Sequence, residues 1–169
     1  DADCLRKRAQ APAQHDHLFH TLLGLLDVRS SLYEGAYDFT RDCRAALADT
    51  GLELLDVEVI WLKPDSDMDA HKAVIDIGAE LGAKHVLCVA SDPDMGGNAA
   101  RLAELCAHAE PSAMRVALEF GIFTEVRNLK MARAVIEEIA HPLAAILIDP
   151  IHVDRSGTSI VEIAALPEA

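Results

Sequence analysis

Arg115-Val-Ala-Leu-Glu-Phe120 and Ala145-Ile-Leu-Ile-Asp-Pro-Ile-His152 are short apolar runs, and each ends at a carboxylate, Glu119 in the first and Asp149 in the second. A strand buried on both faces of a parallel sheet reads as just such a near-continuous hydrophobic run. An acid at its tip is costly to bury unless a metal, a cation or a substrate meets it. Alternation along a strand puts Val116, Leu118 and Phe120 on one face and Ala117 and Glu119 on the other. In the second run Leu147 and Asp149 share a face, opposite Ile146 and Ile148. Neighbouring parallel strands lie about 4.8 Å apart, so two such acids are within reach of one divalent cation.

Outward from this pair the chain repeats. Strand-like runs start near residues 22, 54, 85, 115 and 144, at intervals of 32, 31, 30 and 29. In the run at 54–62, alternation sets Val57, Val59 and Trp61 against Asp56, Glu58 and Ile60. Helical patterns fill the gaps. Residues 39–50 form one, with Gly51 placed to end it in the left-handed conformation. A second carries Ala70, Ala73, Val74, Ile77 and Leu81 on one stripe, capped by Asp67 or Asp69 and ended by Gly82. After the polar loop 91–97, a third at 98–109 turns Leu102, Leu105, Cys106 and Ala109 inward. The fourth, at 128–140, does the same with Leu129, Ala132, Ile136 and Ile139. Residues 154–157 read as a loop, and Ser159 with Glu162 forms a capping box that opens a last helix.

A strand, loop and helix repeated about every 30 residues is βα architecture, because parallel strands need a crossover. An open doubly wound sheet usually carries a glycine-rich turn after its first strand. Here that strand ends in Asp27-Val-Arg-Ser-Ser31, and no GxGxxG occurs. Acids at successive strand tips fit the (β/α)8 TIM barrel, whose active sites are assembled from several strand ends. A complete barrel typically takes about 250 residues, and this chain has 169. The expectation is therefore one TIM-barrel-like domain over residues 1–169, an incomplete barrel of about five βα units, either a fragment or lacking segments.

Composition narrows the function classes. The formal charge of −13 opposes a phosphate backbone and argues against nucleic acid. No apolar stretch approaches the ~20 residues of a membrane span. Cys4, Cys43, Cys88 and Cys106 show no CxxC spacing and read as thiols in a reducing compartment. With no signal-peptide core at the N-terminus, these features predict a cytoplasmic protein whose first residues precede the given sequence. His15, His17 and His20 match no strong ligand spacing and read as exposed polar residues. The segment 30–38 reads as a loop holding Tyr33 and Tyr37.

Five stretches together resemble one family. They are Gly51-Leu-Glu-Leu-Leu-Asp-Val-Glu58, Ile77-Gly-Ala-Glu-Leu-Gly-Ala-Lys-His-Val86, Leu118-Glu-Phe120, Val126-Arg-Asn-Leu129 and Leu147-Ile-Asp-Pro-Ile-His152. In this order and spacing they are similar to the xylose-isomerase-like TIM barrels, and within them to the sugar phosphate isomerase/epimerase group, over residues 22 to 166. The resemblance implies one divalent metal (Mn, Mg, Co or Zn) at the C-terminal mouth. Its ligands in the family are a Glu, an Asp, a His and a second Glu from four successive strands. The first two map onto Glu119 and Asp149, and His152 becomes a contact to a substrate hydroxyl. The given sequence closes before strands that would carry the other two ligands.

The expected chemistry is isomerisation or epimerisation of a sugar, a sugar phosphate or a keto-inositol. A metal polarises the carbonyl, a carboxylate removes the neighbouring proton, and an enediolate results. Glu119 stands as ligand and candidate base together. Around it the residues leave alternatives open. His152 is a substrate contact or a titrating loop histidine. Glu58 projects into the mouth or is a salt-bridged interior acid. Trp61 is outer packing or a sugar-stacking platform. Arg155 binds a substrate anion or pairs with Asp154 in solvent, while Asp92 and Asp94 read as turn residues. The expected partner is a small-molecule carbohydrate, with no nucleic acid and no membrane, and a homo-oligomer is left open. Competing readings are a non-catalytic, degenerate barrel or binding module, a keto-inositol dehydratase sharing the first step, and an abasic-site endonuclease, which needs more ligands and a basic face.

Overall fold

A computed structural model describes residues 39–166. The expected strand at residue 22, the loop with the two tyrosines, Cys4 and the three clustered histidines lie outside the described residues. The described residues divide into two units, 39–54 with 80–82, and 55–79 with 83–166. In the first, α1 (Phe39–Thr50) is a helix. The Thr50 hydroxyl donates back to the Ala46 carbonyl at 2.7 Å, and Gly51 leaves the helix at φ +67° as the sequence predicts.

The second unit holds a four-stranded sheet. From β1 onward the chain runs β1 (Asp56–Leu62), α2 (Met68–Leu81), β2 (His85–Ala90), α3 (Met95–Ala109), β3 (Arg115–Glu119), α4 (Leu129–Ile139), β4 (Ala144–Leu147), α5 (Pro150–Ser156) and α6 (Ile160–Ala164). The strands lie in the order β1-β2-β3-β4, every pair parallel, with a helix between each strand and the next. This is the βα repeat expected from the spacing, and the strands at 85, 115 and 144 begin where the apolar runs do.

The register sorts the side chains into two faces. Val86 pairs with Val116, which pairs with Ala144, and Cys88 with Leu118, which pairs with Ile146; these share a face. Val86, Cys88, Val116 and Leu118 are fully buried there, together with Leu102, Leu105 and Cys106 of α3. Burial pushes the Cys88 thiol well up, with Cys106 adding to it, and burial pushes Cys106 up to about 11. On the opposite face stand Leu87, Val89, Ala117, Glu119, Ala145 and Leu147. A cleft of about 640 Å³ opens along the lower part of this face and the β4 edge, lined by Leu87, Ala117, Ala145 and Leu147 among others.

Strict alternation fails in β1. Val57 pairs with Val86, but Ile60 pairs with Cys88, so Glu58 and Val59 together oppose Leu87. One extra residue makes a β-bulge, and a bulge re-aims everything after it. Ile60 and Leu62 turn into the core, both fully buried, while Trp61 pairs with Val89 and stands on the face of Glu119. The expected grouping of Val57 with Trp61 against Ile60 is corrected accordingly: Val57 shares the core face with Ile60, while Val59 and Trp61 stay together on the exposed side.

Two helices also differ from expectation. α3 starts at Met95 rather than Asn98, because Asp94 caps it by accepting from the Gly96 N–H. Gly96 and Gly97 made this stretch read as loop, yet Gly97 is needed inside the helix. A Cβ there would stand 2.7 Å from Asp92 Oδ2 and 3.0 Å from Arg101 Nη1. Residues 150–156, taken as the end of a strand and a loop, form α5. Asp149 is its N-cap, Pro150 occupies the first turn, and Gly157 closes it at φ +69°. The capping box at Ser159 and Glu162 is present as expected.

Candidate functional site

β3 and β4 are adjacent and parallel, and Glu119, the last residue of β3, pairs with Leu147. Two residues beyond Leu147, Asp149 begins α5, and its carboxylate accepts from the Ile151 N–H at 2.7 Å. Among the described residues its second oxygen accepts no hydrogen bond, which leaves it for the site. The first turn of α5 then carries His152 back over the strand tips, with Nε2 3.9 Å from Glu119 Oε1. One ligand atom from each of Glu119, Asp149 and His152 lies within 4.8 Å of the others. The sequence anticipated that the two acids would converge; the third member arrives because α5 starts at once.

The donor set fits a divalent ion. Carboxylate oxygen and imidazole nitrogen ligands stand about 2.0–2.2 Å from such an ion, so opposite ligands are up to about 4.4 Å apart. The three groups need to close by only a few tenths of an ångström. Nδ1 of His152 is buried with no hydrogen-bond partner among the described residues. Burial holds the Glu119 carboxyl above its ordinary range; His152 pulls it down, while Asp149 and Glu58 push it up. A buried acid with two carboxylates beside it is a place where positive charge is favoured.

Glu58, at the bulge of β1, is exposed and near enough for its charge to act on Glu119. Trp61 stands in the register row Trp61, Val89, Glu119, Leu147. Its indole N–H donates to Ser91 Oγ at 2.8 Å, and the Lys63 ammonium lies 5.3 Å from its ring centroid. Trp61 is therefore on the site face rather than in outer packing. Arg155 does not join the group. It is exposed in the last turn of α5 and makes no ion pair among the described residues.

Asp92 and Asp94 hold the rim. Asp94 caps α3, and Asp92 accepts from the Asp94 N–H at 2.9 Å and from Arg101 at 2.6 Å. These two donors, the backbone one first, hold the Asp92 carboxyl below its ordinary range. Arg101 also donates to the Pro64 carbonyl at 2.9 Å, so one guanidinium ties the loop after β1 to the loop after β2. Asn98, fully buried, brackets the Asp92 backbone, accepting from its N–H and donating to its carbonyl. The turn reading of Asp92 was thus only part of its role.

Phe123 was not singled out from the sequence. Its ring lies 5.0 Å from that of His152 and 6.0 Å, edge-on, from that of Trp61. An apolar aromatic in the loop directly after an acid-tipped strand is the one signal that could have found it.

No protein-family model matches the sequence, and no curated protein matches it. Solved structures do match. A xylose isomerase domain containing protein from Salmonella typhimurium LT2 superposes with a TM-score of 0.64 at 16% identity, over 94% of this chain and 64% of that one. An IolI protein with a bound zinc atom superposes with a TM-score of 0.64 at 17% identity, over 86% of this chain and 55% of that one. The fold is that of the xylose isomerase-like TIM barrels. A third such structure is a fusion of a xylose isomerase-like TIM barrel with a 4-hydroxyphenylpyruvate dioxygenase, with a TM-score of 0.60 at 16% identity over 85% of this chain and 26% of that one. The chain spans less than two thirds of each of these proteins, consistent with an incomplete barrel. Among the described residues no helix is long and apolar enough to cross a membrane.

Proposed function

We propose that this chain carries part of the active site of a divalent-metal-dependent isomerase or epimerase acting on a sugar, a sugar phosphate or a keto-inositol. The observation that carries the reading is the convergence of Glu119, Asp149 and His152 within 4.8 Å at the C-terminal tips of adjacent parallel strands. A structural neighbour, the IolI protein with its bound zinc atom, supports a metal of this class. The ion is one of Mn, Mg, Co or Zn, and a mixed set of two carboxylates and an imidazole suits all four.

When bound, the ion supplies a Lewis acid that draws electron density from a substrate carbonyl. The chain's own residues do the rest. Glu119, held above its ordinary pKa by burial, is suited to take a proton from the carbon beside the carbonyl and to hold it. Its return to the adjacent carbon gives an isomer, and delivery of a proton to the opposite face by a second group would give an epimer. Asp149 is fixed by its capping bond to Ile151, so its free oxygen is presented without a search through rotamers. Glu58 and Trp61 line the mouth on the β1 side. The acidic surface and the buried thiols agree with a small carbohydrate as partner, not a nucleic acid, and with a cytoplasmic setting.

The test is solvent exchange. Cobalt-loaded protein incubated with a ketose in deuterated water should introduce deuterium at the carbon next to the carbonyl, and Glu119→Gln should not. Metal-loaded wild type that leaves every ketose in a panel unlabelled would refute the proposal.

A further inference from the structure

Phe123 sits in a loop built to hold it. Thr124 is buried, and its hydroxyl bonds both the Gly121 carbonyl, at 3.0 Å, and the Val126 carbonyl, at 2.9 Å. The Gly121 N–H donates to the Val126 carbonyl at 3.0 Å, and the Val126 N–H reaches across to Ala90 of β2 at 3.3 Å. The turn is thus closed on itself and pinned to the neighbouring strand. Out of it the Phe123 ring folds back onto the bare Cα of Gly121. A Cβ at Gly121 would run into ring atom Cε1 and stand 2.9 Å from Cδ1. The ring is nevertheless 49% exposed, so one side rests on the loop and part of it is open to solvent.

The ring is therefore held in one place by its loop rather than by burial. Its position gives it a use. It stands 5.0 Å from the ring of His152, which shares a cluster with the two carboxylates. Trp61, the chain's one tryptophan, is less available, with Lys63 over its ring and Phe123 against it. We infer that Phe123 is a specificity-determining residue, a platform that takes the C–H face of a ketose whose carbonyl and hydroxyl oxygens lie at the Glu119, Asp149 and His152 cluster. This rests on the metal-dependent reading above and deepens it. The substrate must extend past the reacting oxygens with a run of C–H groups on one side. Gly121 is the positioning residue that lets the ring lie where it does.

Trp61 lies 6.0 Å from Phe123 and reports binding through its emission. The probes are zinc alone, then D-fructose, and then dihydroxyacetone, which has the same ketone and hydroxyl pair but no further carbon chain. Phe123→Ala should weaken D-fructose binding to the zinc-loaded protein about five- to tenfold, the worth of one aromatic contact. Dihydroxyacetone binding should change by less than about twofold, since it never reaches the ring. Phe123→Tyr should restore D-fructose binding, and Gly121→Ala should reproduce the Phe123→Ala defect with the phenyl ring still present. Phe123→Leu keeps apolar bulk in the loop and should show the same selective loss if Phe123→Ala fails to fold. Equal weakening of both ketoses, no weakening of either, or no response to D-fructose in zinc-loaded wild type would each overturn the platform. Failure of the wild type to take up zinc would instead sink the metal-centre reading beneath it.

Discussion

Replacing Glu119 by Gln should stabilise the metal-free protein and remove its stabilisation by metal. The carboxyl is 9% exposed and lies beside Asp149 and Glu58, and its folded-state pKa is raised, chiefly by burial, above the ordinary value of 4.5. A group of this kind contributes its full stability below the unfolded pKa and loses it as pH rises through the folded one. At neutral pH the ionised side chain therefore works against folding, whereas neutral Gln, of the same shape, does not. Metal reverses the balance. An ion at a hundredfold its Kd adds about 2.7 kcal/mol to the wild type. At roughly 2–4 °C per kcal/mol for a chain of this size, Tm rises by about 5–11 °C. Thermal unfolding followed by circular dichroism, with and without zinc at pH 7, measures both halves. Metal-free wild type should also lose stability relative to Glu119→Gln as pH rises from about 4.5 toward neutrality. A variant that melts below metal-free wild type, or that gains as much from zinc, would refute the reasoning.

Three other perturbations probe the scaffold. Asn98→Ala strips the Asp92 backbone of both its partners in a fully buried place and should cost about 2 kcal/mol in urea unfolding. Asp92→Asn should destabilise at neutral pH. The wild-type carboxyl is depressed by the Asp94 N–H and by Arg101, so its contribution is present above the ordinary Asp value and lost as pH falls through the folded one. Melting curves of the two proteins should therefore converge toward acid, and a gap that persists there would argue against the ion pair as its cause. Gly78→Ala places a Cβ 2.8 Å from Val57 Cγ2 and 3.0 Å from Met114 Cε. Overpacking of about 1–3 kcal/mol should exceed the helix-propensity gain of about 1 kcal/mol, leaving a net loss seen in chemical denaturation.

Much of this architecture is legible in the sequence because burial and spacing write it there. The apolar runs at 85, 115 and 144 are strands since each is covered on its core face, and their 30-residue spacing is the length of a crossover. Glu119 and Asp149 could be paired by parity alone, because β3 and β4 are neighbours. What alternation cannot reveal is a bulge. The extra residue between Val57 and Ile60 carries no composition signal, yet it moves Trp61 from one face to the other. Pro150 looked like the end of a strand and is the start of a helix, which is why His152 joins the acids. Gly96 and Gly97 looked like loop, because a close approach by Asp92 and Arg101 cannot be read locally. Phe123 matters only through contacts with residues 61, 121 and 152, which no local pattern contains.

The central claim is that three side chains from adjoining strand tips share one ion. The two ring steps of 6.0 Å and 5.0 Å put Trp61 within about 11 Å of His152, close enough for bound cobalt to quench its emission. Equilibrium dialysis against cobalt, followed by Trp61 emission, should give one ion per chain and a quench that saturates with it. Glu119→Gln, Asp149→Asn and His152→Ala should each weaken binding by at least about tenfold. Wild type that binds no cobalt, or binding that all three variants retain, would contradict the account.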